Sequence, residues 1–168
     1  IVRAPCLNLG CVNAGVDTFL HDDAALAIAA RAERVVLQVM GAPDLSNDFY
    51  RVHPRRNDRF LEPTDHLRDL CPGFDFAEIN FNGHLLASLA RRYPSVWRTV
   101  REALRQTWVE RMKTLADRIG QPPVLLWLRY PDRGEAGRAG LGPSPLLVDK
   151  DLLGGVRGAM CAIVEVGG

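Results

Sequence analysis

The sequence predicts a single α/β domain on a mostly parallel sheet, and three observations carry that expectation. Residues 35–40 and 124–128 are apolar runs that are continuous rather than alternating, as in strands buried on both faces. Ala- and Leu-rich stretches with helix start and stop signals lie between such runs. The 168 residues amount to one domain, and 47% hydrophobic against 24% charged residues is the balance of a globular chain with a real core.

Taken in order, residues 5–9 (Pro-Cys-Leu-Asn-Leu) form a short apolar run ending at Gly10 and predict the first strand. Asp17 and Thr18 are candidate N-caps for a helix reaching residue 32. Residues 35–40, closed by Gly41, predict the second strand. Residues 42–72 are polar and Pro-punctuated and read as one long functional loop. Asp75 with Glu78 three residues later predicts a capped helix ending near Tyr93. Ser95, after Pro94, predicts the cap of a second helix. Its stripe is Trp97, Val100, Leu104, Trp108, Met112, Leu115 and Ile119, and Gly120 with Pro122-Pro123 stops it. Residues 124–128 predict the third strand, 129–145 a Gly/Arg/Pro loop, 149–156 a short helix and 162–166 the last strand. In such a doubly wound sheet, ligands sit at the carboxyl ends of the strands, here residues 10–17 and 41–59.

Composition excludes several classes. With 21 basic and 20 acidic residues the net charge is +1, so a general attraction to nucleic acid or an anionic membrane is not the main business of the molecule. No apolar run approaches the ~18 residues of a membrane helix. Cys6, Cys11, Cys71 and Cys161 form no C-x-x-C pair and have no His at zinc-site spacing, so neither a metal nor a cofactor is expected. Cys6 and Cys161 lie in apolar stretches and read as small packed hydrophobes. With no secretory leader, reduced thiols in the cytoplasm are the expectation. The chain runs into a strand-like segment within a few residues of Ile1, so the domain is expected to be incomplete at its N-terminus.

Gly10-Cys-Val-Asn13-Ala-Gly15 is neither a dinucleotide fingerprint nor a phosphate loop. It is a turn that presents backbone N–H groups to a ligand, or one whose glycines only permit a tight strand-to-helix passage. The second strand end carries denser chemistry. Arg51, Arg55, Arg56 and Arg59, four within nine residues, can clamp an anion bidentately. Asp44, Asp48 and Asp58 can equally pair with them internally. His53 is the one His placed at a strand end, a candidate acid or base with Asp44 and Asn47 beside it. His21, His66 and His84 read as surface or packing residues.

Asn8-Leu-Gly10-x-x-Asn13-Ala-Gly15-x-Asp17, a helix, then Val35-Val-Leu-Gln-Val-Met-Gly41-Ala-Pro-Asp44, resembles the second and third blocks of SGNH (GDSL-type) hydrolases. That resemblance implies a flavodoxin-like three-layer sandwich, here lacking its first strand. In the family a Ser after that strand attacks an ester, a Gly of block two and an Asn of block three hold the oxyanion, and a late Asp-x-x-His completes the set. The nucleophile block lies outside these residues, Asn13 stands at the block-two Gly position and Pro43 at the block-three Asn position. Asp149-Lys-Asp-Leu152 matches the late motif with Leu in place of His. The stretch from Val39 through Ser46-Asn47-x-Phe-Tyr-x-Val-His53-Pro-Arg-Arg-Asn57-Asp-Arg-Phe60 also resembles an uncharacterised bacterial domain family.

The resulting expectation is an SGNH-like esterase or acyl or group transferase acting on a polar, carbohydrate-type substrate. His53, Asp44 and Asn47 are its catalytic candidates, and Gly10, Asn13, Gly15, Gly41, Arg51, Arg55, Arg56 and Asn57 its ligand-binding ones. The alternative is a non-catalytic domain that holds an anionic ligand through the Arg51–Arg59 loop. A third reading docks that loop on an acidic protein surface.

Overall fold

In the computed structural model, which describes residues 5–130 and 144–167, three apolar strands pair in parallel. They are β1 (Val36–Gln38), β4 (Val124–Arg129) and β5 (Ala162–Gly167), in the order β1-β4-β5. Val36 pairs with Val124, and Val124 with Ala162. A second, antiparallel pair, β2 (Tyr50–Val52) and β3 (Phe60–Pro63), stands apart from this sheet. The fold is therefore mixed α/β.

Among the described residues, seven segments of helix accompany the strands. α1 (Val16–Leu20) and α2 (Asp23–Ala30) replace the single helix expected up to residue 32. Asp22 causes the break, because its carboxylate accepts the Ala25 N–H at 2.9 Å and restarts the helix as an N-cap. α3 (Asp65–Leu70) is capped by Thr64. α4 (Asn82–Arg92) begins later than expected. Asp75 accepts only the Ala77 N–H in a local turn, so the Asp75/Glu78 pair opens no helix. α5 (Pro94–Ile119) starts with Pro94 in its first turn, and Tyr93, not Ser95, occupies the N-cap position. Its buried stripe begins at Val96 and continues through Val100, Leu104, Trp108, Met112, Leu115 and Ile119, with Trp97 half-buried. Gly120, left-handed at φ 77°, ends it. α6 (Lys150–Val156) is capped by Asp149 and runs into a 3-10 turn at Arg157–Ala159. α1, α2, α4 and α6 all pack against α5. Among the described residues no helix is long and apolar enough to cross a membrane.

Three further expectations are corrected. Residues 5–9 form no strand and, apart from the half-buried Leu9, lie exposed, Leu7 at 66%. Among the described residues β1 has β4 as its only neighbour, so no ladder is available there to order this segment. Residues 42–72 are not a loop but a folded hairpin and helix. Leu45, Phe49, Tyr50, Phe60 and Leu67 are all buried there, which offsets the ordering cost of a chain rich in polar residues. Cys6 and Cys161 are exposed rather than packed, and Cys71 is the buried thiol, its pKa pushed up by that burial.

Candidate functional site

The carboxyl end of β1 meets the turn before α1, the hairpin and the first turn of α4. Gly15 makes that meeting possible. A Cβ built on it would lie 1.8 Å from the carbonyl oxygen of Asp44 and 2.9 Å from Asn57 Oδ1. Gly41 plays the same part on the other side, where a Cβ would lie 2.9 Å from Asp44 Oδ2. At Gly15 every side chain larger than hydrogen would push the turn before α1 away from the end of β1, whereas at Gly41 it would displace the Asp44 carboxylate.

Two buried amides then tie these segments together. Asn57 Oδ1 accepts from the Gly15 N–H at 2.8 Å and from Thr18 Oγ1 at 2.8 Å, while its Nδ2 donates to the His53 carbonyl at 2.8 Å. The Asn57 backbone N–H reaches the carbonyl of Asn13, a residue held left-handed at φ 59°, where Asn is tolerated. Asn82, the first residue of α4 and 1% exposed, donates from Nδ2 to the carbonyls of Asn57 (2.6 Å) and Pro43 (3.1 Å) and to Asp44 Oδ1 (3.1 Å). Tyr50 adds its hydroxyl to the Pro43 carbonyl at 2.8 Å. These amides leave few backbone groups of the turns unpaired.

Asp44 sits at the centre. Burial pushes its carboxyl up to about 7, against the pull of the Asn82 hydrogen bond and with the push of the Asp58 charge. The residue itself keeps some exposure, so a proton can reach it. Asp58 lies 3.6 Å from Arg56 through Oδ2, but its Oδ1 and the Oδ1 of Asn82 are buried without a hydrogen-bond partner. On the flank, Asp17 accepts the Ser46 N–H at 3.0 Å and faces Arg111 at 3.8 Å. The centre is rich in acceptors and short of donors, and its one tunable proton is on Asp44.

Of the residues singled out from the sequence, Asn13, Gly15, Gly41, Asp44 and Asn57 are brought together here. The others lie differently. Asn47 spends its hydrogen bonds within its own turn, accepting from Phe49 (2.8 Å) and Tyr50 (3.2 Å) and donating to Leu45 (3.0 Å). His53 Nδ1 accepts the N–H groups of Arg55 and Arg56, both at 3.2 Å, which leaves Nε2 as its other ring nitrogen. Arg51 donates to the carbonyls of Asn47 and Tyr50, and Arg59 lies over the Phe81 ring at 5.8 Å. Arg55 is exposed, and Gly10 occupies an exposed turn closed by Asn8. Asp149 receives both arms of Arg105, at 2.7 and 3.0 Å, and caps α6.

Asn82 and Asp58 escaped the reading of the sequence as site residues. For Asn82 the only local signal was an Asn-Gly pair after an aromatic residue, which marks a turn and not a site. An open groove of about 400 Å³ between α5 and α6, lined among others by Glu102, Arg105, Glu110, Lys113 and Asp151, shares no residue with this centre. Among the described residues no group of three or more His, Cys, Asp or Glu side chains is placed to hold a metal ion.

No curated protein and no solved structure matches the chain. The family model described as a domain of unknown function (DUF6473) covers residues 1–168, and the chain belongs to that family.

Proposed function

We propose that this is an SGNH-like domain with a flavodoxin-like arrangement, an esterase or acyl or group transferase on a polar, carbohydrate-type substrate, with Asp44 as its proton acceptor. The carrying observation is a carboxyl group with a pKa of about 7 at the carboxyl end of a parallel strand. A base poised near neutrality accepts a proton from a hydroxyl nucleophile and returns it to a leaving group. The acceptor-rich surroundings favour a substrate that donates hydrogen bonds, as sugar hydroxyls do. They lend less support to an anion, for which three of the four Arg of the loop already have other partners. Four free thiols are in keeping with a reducing, cytoplasmic setting.

The test is turnover of a panel of short acyl esters and acetylated sugars by the complete gene product between about pH 5 and 9, with Asp44→Asn alongside. Activity is expected to rise with an apparent pKa near 7 and to fall about 100-fold or more in Asp44→Asn. A panel without turnover, or a fully active Asp44→Asn enzyme, overturns the reading.

A further inference from the structure

Phe81 is the one exposed ring among the six phenylalanines, at 46%. The others are buried or half-buried, and Phe60, Phe74 and Phe76 pack on one another. Backbone pairing sets its place. Phe60 donates its N–H to the Asn80 carbonyl at 3.1 Å, and Asn82 donates its N–H to the Asp58 carbonyl at 3.0 Å. These two bonds flank Arg59 and Phe81, which makes them a non-hydrogen-bonded antiparallel pair, the kind whose side chains come closest. On the other side of Arg59, the His53 N–H donates to the Arg59 carbonyl at 2.9 Å. His53, Arg59 and Phe81 thus form a row across three antiparallel segments. Val52 and Phe60, one step along, are buried, so the row lies on the opposite, outer face.

The row presents an apolar plane beside hydrogen-bond donors. Arg59 lies over the Phe81 ring at 5.8 Å, and among the described residues that ring is the partner its guanidinium has. A phenyl face offsets little charge at an exposed site and accepts no N–H as a carboxylate would. His53 Nδ1 accepts the N–H groups of Arg55 and Arg56, so Nε2 carries a hydrogen in either charge state of the ring. Residues 50–63 hold four Arg and two acids. Arg51 stands opposite Glu62 in the hairpin register, and Arg56 lies 3.6 Å from Asp58. Arg55 and Arg59 remain, and they give this face its excess of positive charge.

We infer that His53, Arg59 and Phe81 form a binding subsite for an anionic sugar, a pyranose ring that bears a carboxylate or a phosphate group. The C–H face of the sugar lies on the Phe81 ring, and its anion takes N–H groups from Arg59 and from His53 Nε2. A bare anion would leave the phenyl plane in water. A neutral sugar would leave the Arg55 and Arg59 charges unanswered. The subsite adjoins the centre described above, because Asn57 and Asp58 lie in the turn between His53 and Arg59, and Asn82 follows Phe81. The inference rests on the sugar-type reading of that centre and adds to it the charge of the ligand.

The experiment is an NMR titration of the complete gene product, read at the Phe81 ring and the Arg59 side chain. The probes are methyl glucuronide, methyl galacturonide and glucose 6-phosphate, beside methyl glucoside, acetate and inorganic phosphate. At least one anionic sugar is expected to bind about 10-fold tighter than the neutral glucoside and than its bare anion. Phe81→Leu and Arg59→Gln are each expected to remove that advantage with the unfolding midpoint unchanged. Equal affinity for the glucoside or for the bare anions overturns the proposal. So does a lack of binding by all three anionic sugars, or an advantage that survives both substitutions. Binding is read without turnover. Ester hydrolysis without this preference therefore removes the subsite alone, and binding without hydrolysis removes the proposed activity alone.

Discussion

The α-carbon of Gly15 rests on the carbonyl oxygen of Asp44, so closely that one added methyl carbon would lie 1.8 Å from it. Gly15→Ala is therefore expected to separate the turn before α1 from the end of β1 and to break the Asn57 hydrogen bond to the Gly15 N–H. The expected loss is about 3 kcal/mol, read from urea unfolding. A variant with an unchanged midpoint would mean that the turn before α1 and the end of β1 are not in contact.

Asp44 sets a pH dependence of stability whose sign is fixed by the direction of its shift. Its folded pKa, about 7, lies above the ordinary 3.8 of a free Asp. The stabilisation is complete below about pH 4, where both states hold the proton, and is lost as pH rises toward 7. Three units correspond to about 4 kcal/mol, an upper figure because the residue keeps some contact with water. Asp44→Asn is expected to flatten this slope and to be the more stable protein at pH 8. Parallel curves for the two proteins in a pH series of unfolding midpoints would contradict the assignment.

Asn82→Ala removes one amide that serves three acceptors in two different turns. The expected cost is about 2–4 kcal/mol. The Asp44 carboxyl also loses the hydrogen bond that holds its pKa down, so its titration moves further up. Carbonyl-carbon NMR of Asp44 across the pH range checks that second effect.

Arg105, in the middle of α5, and Asp149 give the opposite pH response. The Arg105 guanidinium holds the Asp149 carboxyl below the usual range. This contribution is present above the unfolded pKa and lost as pH falls through the folded one. Asp149 is half exposed, so the ion pair amounts to about 1 kcal/mol, and the cap on Leu152 adds about another. Asp149→Ala is expected to cost about twice as much as Arg105→Met, and the double variant no more than Asp149→Ala alone. A double-mutant cycle with additive losses would show that the two residues do not interact.

What was legible in the sequence followed from uninterrupted physical signals. Residues 124–128 are apolar without a break, and Val100 to Ile119 repeats its apolar residues every three or four positions up to a glycine. Neither needs a distant partner to be read. Residues 5–9 were misread because a strand is defined by its neighbour, which composition does not show. The hairpin was missed because Tyr50, Val52 and Phe60 are scattered among charges in strands of three and four residues. Asp75 and Glu78 matched a helix cap, yet the flanking Phe74 and Phe76 pack with each other and with Phe60 and Tyr93 instead. Of the centre itself, Asp44 and Asn57 stood within a conspicuous polar run. Asn82, 25 residues beyond Asn57, became part of it only through the fold.

Those separations bear on how the molecule folds. The hydrogen bonds that define the centre join residues 25, 38, 39 and 42 positions apart, and none of the defining bonds lies within one helix or strand. Closing chains of that length is slow relative to winding α5. The helical scaffold therefore forms before the strand ends are locked, and the Asp44 carboxyl keeps its ordinary acidity until the last stage of the search. A refolding experiment at about pH 5.5, where the unfolded carboxyl is ionised and the folded one protonated, should then show a late step that takes up a proton, timed with the locking of Asn82.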